Sequence, residues 1–433
     1  MGDRVIVVGN GAREHALVWK LAQSPQVETI VSVPGNPGTA AFGDTVALDV
    51  LDSAGITALS VEQRADLVVV GPEAPLAAGL ADELRSAGIA VCGPSRSAAR
   101  IESSKSWAKA LMVGAGVPTA RAETVAEIAA IENTLAQFAL PVVIKADGLA
   151  AGKGVVVAQT REEAASVCRD MLAGTMLGKP AGSIVIEQFL TGQEVSLLAI
   201  TDGHTIVPLL PACDYKRAQD NDLGPNTGGM GGYAPPPFVD VSMMETIRKT
   251  ILEPVVNAMD RAGSPMQGVL YAGLMITDEG PQVIEFNARF GDPETQIILP
   301  LLASDLYPLL RATDSRELAS VSSPLWADAV AVGVVLASGG YPGAYQTGLP
   351  IHDDGPIDST EVFFAGVTSG PEGDVRTSGG RVLTAVGIGA SFAEATSLAY
   401  ERAQRISFPG MAYRHDIARR ELPAVRPRER TIR

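Results

Sequence analysis

The chain is poor in the residues that most often carry metal and redox chemistry. Its 433 residues include 3 cysteines and 4 histidines. Cys92, Cys168 and Cys213 are odd in number and far apart, with no CxxC pair. That argues against a disulfide framework or a structural zinc site and fits a reducing compartment. His15, His204, His352 and His415 contain no pair at helical metal spacing. No hydrophobic run is long enough for a membrane helix, which needs about 18 consecutive apolar residues. The best candidate, AVAVGVVLA at 329–337, has the length of a strand. Asp3 and Arg4 precede a short apolar run without a cleavage signature, so no signal peptide is read. A cytoplasmic location is the expectation. Positive charge is also in deficit, with 34 Lys and Arg against 49 Asp and Glu and a net charge of −15. This excludes nucleic acid and anionic membrane as main partners. Small phosphorylated ligands remain open, because they need only local donors.

What is present is an ordinary globular composition, 46% hydrophobic and 19% charged. The length exceeds one hydrophobic core and predicts roughly two to four domains. Up to about residue 100, strand-like runs (VIVVG, ETIVSV, DLVVVG, IAVCG) alternate with helix-like segments, among them HALVWKLAQ and a helix over 72–88. Such alternation with short connections predicts a parallel α/β sheet, with ligands beyond the carboxyl ends of its strands. From 101 the pattern changes. A helix is predicted at 103–115, then PVVIKAD and GVVVAQT as paired strands joined by GLAAGK. SIVIEQFL and EVSLLAIT follow as strands. Residues 213–237 are rich in glycine and proline and are expected to have little regular structure, as a substrate loop rather than a linker. A helix over 242–262 leads into the strands GVLYAGLMIT and PQVIEFNARF. From about 326 to the end, glycine-punctuated strands and one amphipathic helix predict a small α+β domain. The fold class is α/β and α+β multidomain.

Four stretches carry chemistry. In GNGAREH, Gly9 and Gly11 fit a dinucleotide fingerprint, but Glu14 stands at the third glycine and the second strand ends in Pro34-Gly35-Asn36 rather than an acid. A nicotinamide dehydrogenase therefore fails twice. A backbone cradle for a single phosphate survives, as does the plainer reading of a tight turn. KADGLAAGKG (145–154) lacks Walker spacing and reads as strand, glycine loop, strand. Its tip offers backbone N–H groups to phosphates, with Lys145 as a fixed counter-charge; a solvated hairpin is the alternative. Glu187 and Glu194 flank a turn where backbone groups suit an adenine edge and a carboxylate suits ribose hydroxyls, although two such glutamates are more often simply solvated. In VIEFNARFGDPETQ (283–296), strand alternation sends Glu285 and Asn287 to one face and Ile284 and Phe286 to the core. A carboxylate and an amide oxygen side by side are hard ligands suited to Mg²⁺ carrying nucleotide phosphates. Arg289 keeps the same parity if the strand extends that far, and Asp292 and Glu294 follow in a turn.

With these stretches in order, the chain resembles the phosphoribosylamine–glycine ligases, glycinamide ribonucleotide synthetases of the ATP-grasp superfamily. The resemblance is close to full length. It rests on GNGAREHAL, VPGNPGTA, DLVVVGPEAPL, CGPS, SSKSWAK, PVVIKADGLAAGKGVVVA, GPNTGGMGGYAP, YAGLMI, VIEFNARFGDPETQ and ASGGYPG, in the family's order. It implies an N-terminal parallel α/β (pre-ATP-grasp) domain at 1–104, an ATP-grasp domain at 105–325 with a mobile lid at about 118–190, and a C-terminal α+β domain at 326–433. It also implies ligation of glycine to 5-phosphoribosylamine in purine biosynthesis. ATP is the co-substrate, the intermediate is glycyl phosphate, and the metal is Mg²⁺ with Mn²⁺ as the alternative.

Carried over by motif, Lys105, Lys145, Gly148, Gly152, Lys153 and Gly154 would meet ATP phosphates. Glu187 and Leu190 would meet adenine through their backbone, and Glu194 the ribose. Glu285 and Asn287 would hold the metal. Arg289 would steady the transferring phosphoryl group or the glycine carboxylate, with Asp292 beside it. Gly9, Asn10, Gly11 and Glu73 would face the phosphoribosyl part, and Asp214, Lys216 and Arg217 the substrates. A monomer working on small molecules alone is expected. Three positions depart from the family's usual residues, Ala12, Tyr215 and Ala288, and none removes a donor named here. YAGLMI carries no acid, which leaves the number of metal ions open. A non-catalytic nucleotide-binding module would be expected to lose Glu285, Asn287, Lys105 or Lys145, and all four are present.

Overall fold

The computed structural model describes residues 2–149, 154–176 and 178–422. Gly152 and Lys153, expected in the ATP loop, lie outside the described residues. The first sheet is parallel and contains β1 (Asp3–Gly9), β2 (Val27–Pro34), β3 (Asp44–Thr45), β4 (Leu67–Val70) and β5 (Val91–Cys92), in the order β3–β2–β1–β4–β5. Val5 to Val8 of β1 are buried on both faces, as a strand between two helical layers must be. The strand order reverses between β1 and β4, so the crevice between their carboxyl ends is the natural ligand site. Gly9 and Gly71 stand there. The helix expected over 72–88 is two helices, Glu73–Ala78 and Leu80–Ser86. Gly79 between them has φ +103°, and a left-handed residue ends the helical hydrogen bonding.

A second sheet is antiparallel. It holds β6 (Ala122–Val125), β7 (Val142–Ala146), β8 (Val155–Ala158) and β9 (Ile184–Gln188), in the order β6–β9–β7–β8. It has a core of its own, where Ile144, Ile184 and Ile186 pack on Phe138 and Met171. The helix expected at 103–115 is Lys105–Gly114, and a separate short helix, Arg100–Ser103, precedes it. Ser104 starts the longer helix, its Oγ accepting the Trp107 N–H at 3.3 Å.

The central sheet contains β10 (Gln193–Asp202) and β11 (Ile206–Pro208). The chain then runs through β12 (Cys213–Asp214), β13 (Arg217–Gln219), β14 (Leu223–Asn226) and β15 (Gly231–Ala234) before returning as β16 (Gln267–Thr277) and β17 (Gly280–Asn287). β11, β10, β16 and β17 pair in that order. The expectation of little regular structure over 213–237 is corrected here. β13 and β14 form a hairpin, and β12 and β15 join β18 (Val330–Ala337) and the strands Arg381–Gly389 and Thr360–Phe364 in one sheet. Glycine permits this pairing, because a Cβ on Gly231 would lie 2.4 Å from the Gly333 oxygen. The last sheet is thus built from two distant stretches of chain. The helix at 242–262 is Val241–Ile247, a π-helical turn Arg248–Leu252, and Glu253–Arg261. Pro254, with no N–H to donate, sits where the wider turn gives way to regular helix.

Candidate active site

At the mouth of the first sheet, Glu14 turns back toward the strand ends. Its Oε2 accepts the Gly11 N–H at 2.7 Å, and its Oε1 lies 2.5 Å from Arg13 Nε. A Cβ on Gly71 would stand 2.0 Å from Glu14 Oε1, so the two strand-end glycines leave room for this carboxylate. Glu14 therefore fills the space beside the two strand-end glycines and occupies one donor of the GNG turn. Asn10 remains exposed at the rim, and its carbonyl accepts Asn36 Nδ2 at 2.8 Å.

β17 carries the sharpest feature. Its pairing with β16 slips between Gly273 and Leu274, leaving Ile284 as a bulge. Val283 and Phe286 are buried, whereas Ile284 is only half-buried. This corrects the simple alternation that sent Ile284 to the core. The extra residue flips the later part of the strand, so Glu285 and Asn287 share the open face. The bulge also leaves the Ile284 carbonyl free to accept Lys145 Nζ at 2.8 Å.

Four cations act on Glu285. Burial pushes its carboxyl upward, but Lys216, Lys145, Lys105 and Arg289 outweigh that and hold it below the usual range. Lys145 Nζ is 2.9 Å from one Glu187 oxygen, and Lys109 Nζ is 3.4 Å from the other. Burial brings the Lys109 ammonium down to about 8 despite Glu187. Lys105 reaches across to the carbonyl of Gly148 at 3.0 Å. Asp147 receives the Ser183 hydroxyl at 3.0 Å and those of Ser104 and Ser106, tying the end of β7 to the start of the helix Lys105–Gly114. Gly154 closes the other side of the tip, its carbonyl accepting the Ala146 N–H at 2.8 Å. Leu190 is half-buried just past β9.

Farther along the chain, Lys216 Nζ pairs with Glu194 at 2.9 Å. Burial opposes the Lys216 charge, but Asp214 and Glu194 raise its pKa well above the ordinary value. Burial also pushes the Asp214 carboxyl up to about 7. Glu294 is buried and accepts Ser196 Oγ at 2.8 Å and Tyr271 OH at 3.0 Å. Arg217 points away and donates to the Gly224 carbonyl at 2.7 Å within its own hairpin.

Past the end of β17, Arg289 lies 3.3 Å from Glu73 and 3.1 Å from Glu102. Burial would raise the Glu73 carboxyl, yet Arg289 and Arg13 keep it below its usual value. Glu102 goes the other way, raised by burial despite Arg289. Both oxygens of Asp292 are engaged, one by Arg381 Nη2 at 2.7 Å and one by Gln296 Nε2 at 2.7 Å. Arg381 comes from the last sheet, and its Nη1 also donates to Gly228 O.

The structure thus brings together Lys105, Lys145, Glu187, Glu285, Lys216, Glu194 and Arg289. Glu73 and Asp292 border the group. Sequence reading passed over Arg13, Glu102, Lys109, Tyr271 and Arg381, and named Glu294 only as a turn residue. Arg13 follows the GNG turn and Tyr271 and Arg381 lie in strands, but these residues meet partners distant in the chain, so no local pattern marked their roles.

Three domain signatures of one family cover nearly the whole chain. They are Phosphoribosylglycinamide synthetase, N domain, over residues 3–102, the ATP-grasp (A) domain over 103–295, and the C domain over 331–420. The chain belongs to the phosphoribosylglycinamide synthetase family. A phosphoribosylamine–glycine ligase of Nostoc sp. is 49% identical over 422 residues, 96% of this chain and 99% of that one. One from Streptomyces coelicolor is 46% identical, covering 96% and 98%. The crystal structure of the Thermotoga maritima phosphoribosylamine–glycine ligase matches with a TM-score of 0.84 at 33% identity, over 96% of this chain and all of that one. The parallel first sheet falls within the N signature and the two antiparallel sheets within the ATP-grasp signature, while the last sheet joins β12 and β15 of the ATP-grasp signature to strands of the C signature.

Proposed function

We propose that this chain joins glycine to 5-phosphoribosylamine at the expense of ATP, giving glycinamide ribonucleotide, ADP and phosphate. The observation that carries the reading is the gathering of cations near Glu285, where Lys145 reaches the adjoining Ile284 carbonyl at 2.8 Å and the charges of Lys105, Lys216 and Arg289 also act on the carboxylate, in a chain of this family. A carboxylate is a poor electrophile. Transfer of the γ-phosphoryl group to the glycine carboxylate forms glycyl phosphate and releases ADP. The ribosylamine nitrogen then attacks the acyl carbon, phosphate leaves, and the nitrogen loses a proton. Such a transfer depends on position and charge neutralisation, which fixed cations supply. No protein nucleophile is needed.

The residues fit a divalent metal. Glu285 is kept ionised, and Asn287 offers a second hard oxygen from the same strand face. Among the described residues no cluster of three or more His, Cys, Asp or Glu forms a metal cage. Two protein oxygens, with nucleotide and water as the remaining ligands, suit Mg²⁺ or Mn²⁺. When bound, the metal would neutralise phosphate charge.

In this proposal Lys105, Lys145 and the 148–154 tip hold the phosphates. Lys153 and Gly152 belong to that tip. With the Glu187 carboxylate committed to two lysines, Glu187 and Leu190 meet adenine through backbone groups, and Glu194 meets ribose. The Gly9–Asn10–Gly11 rim and Glu73 face the phosphoribosyl part, and Asp214 and Lys216 the reacting ends. Arg217 is the weakest of these assignments, since its guanidinium serves its own hairpin. Asp292 contributes by holding Arg381 against Gly228. The division at 1–104, 105–325 and 326–433 belongs to the same proposal, with 118–190 as a lid that keeps glycyl phosphate from water. So do a monomeric working form and a cytoplasmic setting. The three cysteines are free and buried, which suits a reducing compartment. No helix among the described residues is long and apolar enough to cross a membrane.

One assay tests the reading. Purified protein receives Mg-ATP and glycine, with phosphoribosylamine generated in situ. Phosphate release must require both glycine and the amine; release without either one refutes the assignment.

A further inference from the structure

Glu102 is a buried carboxylate to which the reaction above gives no task. It lies on the short helix Arg100–Ser103, just ahead of Lys105. One of its oxygens faces Arg289 Nη2 at 3.1 Å, and the other accepts the Ala288 N–H at 2.8 Å. The ladder of β17 ends at Asn287, so Glu102 takes over hydrogen bonding where the sheet stops. Its side chain is 8% exposed, against 33% for Glu73 on the other side of the guanidinium. Glu73 also stands farther off, at 3.3 Å. Arg289 is thus held at Nη2 by the buried Glu102 and at Nη1 by the Phe290 carbonyl at 3.0 Å, with the more exposed Glu73 at Nε. A free arginine samples many rotamers, and ordering it during reaction is unfavourable. An anchor set in advance removes that barrier.

We propose that Glu102 is a positioning residue for phosphoryl transfer. It acts through Arg289, fixing residues 288–289 so that the guanidinium faces the reacting anion. This rests on the ligase reading above. A double-variant cycle in the full chain tests it, with kcat, KM for ATP and melting temperature measured for each protein. Glu102→Gln should lower kcat about tenfold to a hundredfold, as misplacement of a catalytic group does. KM for ATP should stay within about twofold, since binding that is equal in ground and transition states is untouched. Arg289→Met should lower kcat at least as far. Adding Glu102→Gln to Arg289→Met should lower it no further. Multiplying losses, or wild-type kcat in Glu102→Gln, would overturn the proposal. Glu102→Asp guards against simple misfolding. It should recover part of kcat, and a kcat that merely follows the folded fraction would count against the proposal. If the unmodified chain releases phosphate without glycine or amine, the ligase reading fails instead, before any variant is compared.

Discussion

The Glu187 carboxylate lies between two lysines, 2.9 Å from Lys145 Nζ and 3.4 Å from Lys109 Nζ, with all three side chains almost wholly buried. The pair joins β9 to β7, and Lys109 ties both to the helix Lys105–Gly114. Removing the shared anion leaves two buried cations facing each other, and breaking such a pair costs about 3–5 kcal/mol. Glu187→Gln should therefore lower the urea midpoint much more than Lys109→Met, which leaves Glu187 paired with Lys145. Equal midpoints for the two variants would refute this account.

Glu285→Gln keeps the shape of the side chain but removes its charge. Turnover should fall at least about a hundredfold, the scale on which electrostatic stabilisers act. The melting curve should stay close to that of the unmodified chain. Chelation of divalent ions should abolish turnover and added Mg²⁺ restore it. Near-normal activity in a normally folded Glu285→Gln protein would remove the metal role.

His15 gives a pH test of stability. Burial among Phe42, Phe363 and Phe364 brings its imidazole down to about 4. Its Nδ1 accepts the Phe364 N–H at 2.9 Å, which requires the unprotonated nitrogen. The folded pKa lies below the unfolded value of about 6.5, so the unfolded chain binds the extra proton between them. The contribution is complete above about pH 6.5 and is lost as pH falls toward 4. Between pH 7 and pH 5 it amounts to about 2 kcal/mol. Melting temperatures across that range should fall less steeply for His15→Gln than for the unmodified chain. Parallel slopes would exclude His15 as the cause.

Arg414 clamps the β13–β14 hairpin from a distant part of the chain. It forms a two-pronged pair with Asp416, at 2.8 and 2.7 Å. It also donates to Asp222 at 2.8 Å and to the Arg217 carbonyl at 3.1 Å, and its guanidinium lies 4.6 Å from the Tyr215 ring centre. Arg414→Met should cost about 3–5 kcal/mol, because the buried Asp416 loses its partner. Asp222→Asn, at a largely exposed position, should cost at most about 1 kcal/mol. Chemical denaturation of both variants checks the difference in scale; a small loss in Arg414→Met would show that Asp416 is solvated instead.

Local patterns made much of this legible. Val5–Val8 announce a doubly covered strand, and Glu14 at the third glycine position argues against a dinucleotide. Glu285 and Asn287 stand two apart in a strand, so their shared face follows from the pleat. The bulge at Ile284 was not legible, because it depends on how β16 is spaced against β17. Nor was the role of Glu14 as an occupant of the crevice, since that needs Gly71 from another strand beside it. Glu102 and Arg381 lie outside the quoted motifs, and Lys109, within SSKSWAK, gives no local hint that it meets Glu187. Arg381 meets Asp292 across 89 positions, and nothing within either stretch points to the other.

The sequence by itself determined the alternation of strands and helices, the glycine turns and the shared strand face of Glu285 and Asn287, because each follows from backbone geometry within a few residues. Tertiary structure decided which charges meet. Lys105, Lys145, Lys216 and Arg289 come from four separate stretches, and only the packing of the sheets brings their charges to bear on one carboxylate. Coulomb energies depend on distance and burial, and a linear chain specifies neither until it folds.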